Sequence, residues 1–170
     1  DEYVSLFKNV PDDCLAGEAS TQYLYDYENV YNNMLKFYGA ETDKVKIIAI
    51  LRNPVERAWS NYSMHRNSGL EPLGFMEAIQ PQTIRARMED DWPVGYDYLG
   101  FGDYCQQVLF WKKHFKDIKI YLYEDLDDPE GVVNSLSAFL NVPAFLDMDL
   151  NKKFNVSGAP KNRDVPKVLI

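Results

Sequence analysis

A guanidinium and a hydroxyl, Arg52 and Ser60, stand in a stretch whose order of residue types could grip a phosphate. In KIIAILRNPVERAWSNYSMHR, residues 46–66, an apolar run from Ile47 to Leu51 stops at Arg52. Asn53, Pro54 and Glu56 follow at once. So short a run, bounded by charge, predicts a strand buried on both faces, as in a parallel sheet. Asn53 suits a helix cap, Pro54 the first helical position, and Glu56 the positive end of the helix dipole. Arg52 therefore falls at the carboxyl edge of a strand beside a helix N-terminus, where open α/β folds bind phosphorylated ligands. Ser60 is six residues beyond Pro54, roughly 9 Å up the axis at about 1.5 Å per residue. Arg52 can reach up the same side, so a charged fork and a hydroxyl could clamp one phosphate. The same residues also fit a plainer arrangement, an arginine paired with an acidic neighbour and a serine facing water.

The elements that must hold this pair are legible in outline. Val55, Ala58, Trp59 and Tyr62 fall at helical spacing as one apolar stripe of a helix over 54–66. Before it, Tyr27 to Tyr38 reads as a helix closing at Gly39, and Leu15 to Ala19 as a short strand that ends at Glu18. After it, Phe75 to Ile79 begins a helix that resumes through Thr83 to Met88 beyond Pro81. Residues 90–102, DDWPVGYDYLGFG, form an aromatic loop that either shapes a binding pocket or covers the core. A helix over 103–115 places Tyr104, Val108, Trp111 and Phe115 on one core-facing stripe, and Ile118 to Tyr123 reads as a second buried strand. Asp128-Pro129-Glu130 opens a helix that buries Val132, Val133, Leu136, Phe139 and Leu140. Residues 141–163 read as a long loop. Strand, helix, strand, helix implies an α/β fold, a parallel sheet flanked by helices, and the length suits a single domain over 1–170.

Composition narrows the function classes. A net charge of −8 argues against a broad nucleic-acid face, and favours a small or neutral partner over a long polyanion. Cys14 and Cys105 lack metal-ligand spacing, and two histidines are too few for a zinc site, so no metal is expected. The cysteines read as buried thiols or as one disulfide. No run of about 18 apolar residues suggests a membrane segment. A cytoplasmic setting fits; an upstream anchor of the Golgi type would place the protein in the Golgi lumen instead. Asn61-Tyr62-Ser63 is a formal glycosylation sequon, discounted because it lies inside the site helix.

Arg52-Asn53-Pro54-Val55-Glu56-Arg57-Ala58, with Ser60 and Tyr62 after it, resembles the 3′-phosphate motif of sulfotransferases that use 3′-phosphoadenosine 5′-phosphosulfate (PAPS). Four further stretches occur in the family's order: Gly17-Glu18-Ala19-Ser20 with Tyr23-Leu24; Tyr98-Leu99 with Gly102, Tyr104 and Gln107; Tyr123-Glu124-Asp125-Leu126; and Phe139-Leu140. The similarity is greatest to heparan-type and bacterial members. Thr21 stands where proline is usual. The resemblance implies a P-loop-NTPase-like sulfotransferase fold, PAPS as donor and adenosine 3′,5′-bisphosphate (PAP) as product, and a 3′-phosphate held by Arg52 and Ser60. The tail NVSGAPKNRDVPK resembles the loop that closes over the nucleotide, which makes Lys161 and Arg163 further binding candidates. The lysine- and glycine-containing loop that cradles the 5′-phosphosulfate in relatives does not occur in this chain. The fold is therefore expected to be partial, N-terminally truncated with that loop upstream, rather than a degenerate relative.

Sulfuryl transfer needs a base for the acceptor proton and cations for charge developing on the bridging oxygen; by analogy with phosphoryl transfer, positioning does most of the work. Glu18 and His65 are the candidate catalytic bases, the first from its place at a strand end and the second from its intrinsic pKa. Each has a plainer reading, Glu18 as a surface carboxylate and His65 as a partner of the helix dipole. Glu124 and Asp125 read as braces for adjoining backbone. The leading function is transfer of a sulfuryl group from PAPS to a hydroxyl or amine on a small-molecule or carbohydrate acceptor. A non-catalytic nucleotide-binding or scaffolding relative, and a P-loop kinase relative with GxxxxGK[ST] upstream, are the alternatives.

Overall fold

The structure is a computed structural model that describes residues 5, 7–11, 14–143, 149 and 150. It divides into two compact units, 1–126 and 127–170.

In the first unit, α1 spans Tyr27–Tyr38 and stops where Gly39 takes φ +55°, a conformation glycine adopts without strain. Strand β1 is Ile47–Leu51, followed after two residues by α2, Pro54–Asn67. Two short helices, α3 (Phe75–Ala78) and α4 (Pro81–Glu89), are separated where Pro81 begins a new first turn. The segment after them contains two 3-10 turns, Val94–Tyr96 and Gly100–Gly102, before α5, Tyr104–His114. Strand β2, Ile118–Leu122, lies parallel to β1, paired from Ile47 with Ile118 to Leu51 with Leu122. The parallel, helix-connected pair is the α/β arrangement expected.

Helix α1 meets α5 through rings: Tyr27 packs on Phe110 at 4.7 Å, and Tyr31 on His114 at 4.4 Å. Trp111 and Phe115 of the expected stripe are buried. The main core cluster is largely tyrosine: Tyr62, Tyr96 and Tyr98 with Ala58 and Ala78, flanked by Leu73, Phe75, Ile79, Met88 and Trp92. Buried phenols require partners. Tyr62 donates to the Leu73 carbonyl and Tyr96 to the Leu70 carbonyl, both at 3.1 Å.

Several expectations need correction. Strand β1 is not covered on both faces among the described residues: Ile48 and Ile50 are exposed, because alternate residues of a strand face opposite ways. The α2 stripe is likewise split, with Ala58 and Tyr62 buried but Val55 and Trp59 exposed; Trp59 meets the cluster only at its margin, against Tyr62 at 5.7 Å and Phe75 at 5.0 Å. Residues 15–20 form no strand, so Glu18 does not end one. Cys14 and Cys105 are surface thiols, neither buried nor joined.

In the second unit, α6 spans Pro129–Leu140, opened by Asp128, whose Oδ1 accepts the Gly131 amide at 3.0 Å. Its expected apolar face is half-buried, and the fully buried residue is Ser137, whose hydroxyl donates to the Val133 carbonyl. Most of the expected loop over 141–163 lies outside the described residues.

Candidate functional site

The junction between β1 and α2 is built locally. The Asn53 side-chain oxygen accepts the amides of Val55 (3.0 Å) and Glu56 (3.3 Å), Pro54 has no amide to offer, and the Arg57 amide bonds the Asn53 carbonyl at 2.9 Å. The first turn is thus satisfied from within. An anion here would be held by side chains on the helix flank, not by bare amides at its tip, which corrects the helix-N-terminus picture drawn from the sequence.

Arg52 lies along that flank. Its Nε and Nη2 each stand 3.2 Å from Glu56 Oε2. Ser60 is half-buried one turn beyond Glu56 on the same row, since residues four apart are neighbours on a helix. The acidic neighbour of the plainer reading therefore exists, and it sits between the two residues expected to share a phosphate. The guanidinium also lies 5.1 Å from the centre of the Tyr123 ring. Parallel register explains that contact: Leu51 pairs with Leu122, so the residues that follow each strand emerge together. Sequence reasoning gave neither Glu56 nor Tyr123 a part in the site. The four-residue spacing of Arg52 and Glu56 was the available signal for the first. No local pattern could have shown the second. Asp125 braces the strand end as expected, accepting the Leu122 amide at 2.8 Å.

His65 faces elsewhere, about 140° around α2 from Ser60 at 100° per residue. Its ring stacks on Tyr96 at 4.4 Å and its Nδ1 is 3.1 Å from the Tyr98 hydroxyl. That hydroxyl gives its one hydrogen to Glu71 Oε2 at 2.8 Å, so His65 is the donor in its own bond and keeps a proton on Nδ1. Glu71 is about 1% exposed and is held by Arg87 through two bonds of 2.7 and 2.8 Å, with the Leu73 amide adding a third. Arg87, itself buried, packs its guanidinium against Trp92 and Tyr96. Tyr98 is gripped by α2 at both ends, with Arg57 donating to its carbonyl and His65 to its hydroxyl. Glu71 and Arg87, sixteen residues apart, carried no sequence signal. The aromatic loop of 90–102 thus divides its duties: Tyr96 and Tyr98 form core, while Leu99 and Gly102 reach a surface hollow.

This cluster makes the fold acid-sensitive. Burial, with the Arg87 charge, pushes His65 below its ordinary 6.5, against the opposing pull of Glu71. Burial alone would raise Glu71, but the hydrogen bonds from Arg87, Leu73 and Tyr98, and the Arg87 charge, hold its carboxyl below the usual carboxylate range. In both cases the unfolded chain binds the proton more tightly, so stability is complete at higher pH and is lost as pH falls. His65 contributes as pH drops below its ordinary value, and Glu71 at more acid pH. The melting temperature is expected to decline from pH 7 to pH 5, and His65→Gln to flatten that decline.

Glu18 is exposed and accepts the Tyr23 hydroxyl at 2.6 Å. Asn61 is also engaged, donating to the Gly95 carbonyl at 2.8 Å. Lys161 and Arg163 lie outside the described residues. Among the described residues, no cluster of three His, Cys, Asp or Glu converges on a point, and no helix is long and apolar enough to cross a membrane.

The sulfotransferase domain family matches residues 35–156, which includes the whole β1–α2 junction and β2. The chain belongs to the sulfotransferase family. It is also similar to the crystal structure of a sulfotransferase from Alicyclobacillus acidocaldarius, with 30% identity and a TM-score of 0.77 over 91% of this chain. The chain spans 61% of the length of that protein. No curated protein matches. The α/β sulfotransferase fold is thus established.

Proposed function

We propose that this sulfotransferase domain uses PAPS, and that Arg52 and Ser60 bind the donor's 3′-phosphate. The observation that supports this reading is the guanidinium of Arg52, aligned by the strand end and the Tyr123 ring along the flank that leads to Ser60. The donor set fits a phosphate: one planar fork and one hydroxyl. Glu56 must release Arg52 for this to happen. An exposed pair at this spacing is worth only about 0.3–0.5 kcal/mol, so a phosphate with two charge-assisted bonds displaces it. When bound, PAPS supplies the sulfuryl group and departs as PAP. The chain's own residues grip and orient the nucleotide: Arg52 forks to the phosphate, Ser60 donates to it, and Tyr123 backs the guanidinium. Lys161 and Arg163 are proposed to close on the same phosphate or its ribose side.

Of the two candidate bases, Glu18 is exposed and takes one hydrogen bond from Tyr23, whereas His65 belongs to the tyrosine cluster, so Glu18 is the one proposed. The acceptor is proposed to be a hydroxyl or amine on a small molecule or carbohydrate, and the net charge of −8 disfavours a polyanion.

Calorimetric binding of PAP and of adenosine 5′-monophosphate, which lacks the 3′-phosphate, tests the assignment. The protein is expected to prefer PAP. Ser60→Ala should reduce that preference about tenfold, from the loss of one charge-assisted bond of about 1.5 kcal/mol. Glu56→Gln should increase it about twofold. A Glu56→Gln protein that binds PAP less well would mean the carboxylate is part of the site and not its competitor.

A further inference from the structure

The surface hollow that Leu99 and Gly102 reach lies on the other side of α2. Ala58 is two residues from both Glu56 and Ser60, about 160° around the helix from each at 100° per residue. There Val55 and Ala58, with Phe75 and Ile79, line an open hollow of about 370 Å³ bordered by Leu99 and Asp103. The wall is fixed in place. Gly102 approaches so closely that a Cβ on it would stand 2.9 Å from Pro54 Cβ, so the 3-10 turn can seat on the first turn of α2 only with glycine there. Tyr98, gripped at both ends, anchors the same segment from below. The volume falls within the range of small-ligand sites, which are mostly apolar with a few placed polar groups.

Asp103 is the charged residue of that lining. It stands at the N-cap of α5, where aspartate ordinarily accepts an amide of the first turn, yet its side chain makes no such bond. The carboxylate is exposed and lines the cavity instead. A neighbouring hollow of about 380 Å³ shares Leu99 and Asp103 and adds Asp97 and Arg85, two carboxylates against one guanidinium. Asp97 is already engaged, accepting the Tyr25 hydroxyl and the Gly100 amide, which leaves Asp103 to meet a ligand.

We propose that the cavity between α2, α3 and the Leu99–Asp103 turn binds a small amine with an apolar body, its ammonium paired with Asp103. The apolar portion lies against Val55, Ala58, Phe75 and Ile79, and the head group meets the carboxylate at the lip. The site is separate from the phosphate grip on the opposite flank and does not depend on it.

2-Phenylethylamine, 2-phenylethanol and 3-phenylpropionate, alike in apolar body but cationic, neutral and anionic at neutral pH, are the probes. Each is titrated into the protein while methyl NMR signals of Val55, Ile79 and Leu99 are followed. The amine is expected to bind about threefold more tightly than the alcohol, as one exposed ion pair allows, to shift those methyls, and to bind more tightly than the carboxylate. Asp103→Asn should bring the amine down to the affinity of the alcohol and leave the alcohol unchanged. Val55→Arg, at an exposed position, should weaken the amine without unfolding the protein. Equal binding of the three probes, no shift at these methyls, or amine binding indifferent to Asp103→Asn would overturn the proposal. PAP added to the amine-saturated protein should bind with unaltered affinity. Displacement of the amine by PAP would overturn the separateness of the two sites, whereas failure of PAP to bind at all would count against the phosphate assignment alone.

Discussion

Arg52→Ala is expected to weaken PAP binding by about 30- to 100-fold while changing adenosine 5′-monophosphate binding by less than about threefold. A hydrogen bond to a charged group is worth about 1.5–3 kcal/mol, and a bidentate fork on a phosphate reaches the upper part of that range. Each 1.4 kcal/mol is a factor of ten. Against this loss stands only a small gain, because the pair with Glu56 is exposed and contributes little. Arg52→Lys should fall between the two, since the charge remains but the fork does not. The fold should survive all these changes: Arg52 lies at a strand end, and the Asn53 cap that starts α2 does not involve it. Calorimetry with both nucleotides, alongside a melting curve, separates lost grip from lost structure. Undiminished PAP binding in the alanine variant would remove Arg52 from the site.

Arg87→Ala should be the most destabilising single change in the first unit, by about 3–5 kcal/mol, because it strands the Glu71 carboxylate in the core. In a chain of this size that corresponds to a melting temperature lower by about 10 °C. Glu71 cannot recover its partners from water, since it is almost wholly covered. Three things also loosen with it: the Tyr98 hydroxyl, the Leu73 amide and the packing of Arg87 on Trp92 and Tyr96. Replacing both members, Glu71→Gln with Arg87→Met, should cost distinctly less than the sum of the single changes, because neither charge is left alone. Urea denaturation of the four proteins measures this coupling. Additive losses would show that the pair is not the unit of stability described. The effect on PAP binding should be secondary, arising through Tyr98 and its hold on α2, and so should scale with lost stability, unlike the effect of Arg52→Ala.

Much of the element order was fixed by short-range chemistry and could be read directly. Asn53-Pro54 starts a helix because one side chain caps two amides and a proline needs no partner. Gly39 ends α1 because it alone adopts positive φ cheaply, and Asp128-Pro129 repeats the opening device at α6. The strand at 47–51, its arginine edge and the serine on the following helix are likewise local, which is why the family could be named from motifs. What only the tertiary structure decided is which face of each element is covered and which distant residues meet. The alternation of β1 leaves Ile48 and Ile50 uncovered, and the row at 55 and 59 on α2 stays largely exposed at the margin of the core that the row at 58 and 62 enters. Tyr123 reaches Arg52 only because two strands run parallel in one register, and Glu71 finds Arg87 across two helices with no periodicity to announce it. His65, plausible as a base on its titration alone, is claimed by Tyr98 once the chain is folded. Periodicity and caps report the energy of a residue with its near neighbours. A buried charge pair or a strand register depends on contacts whose partners the linear order does not mark.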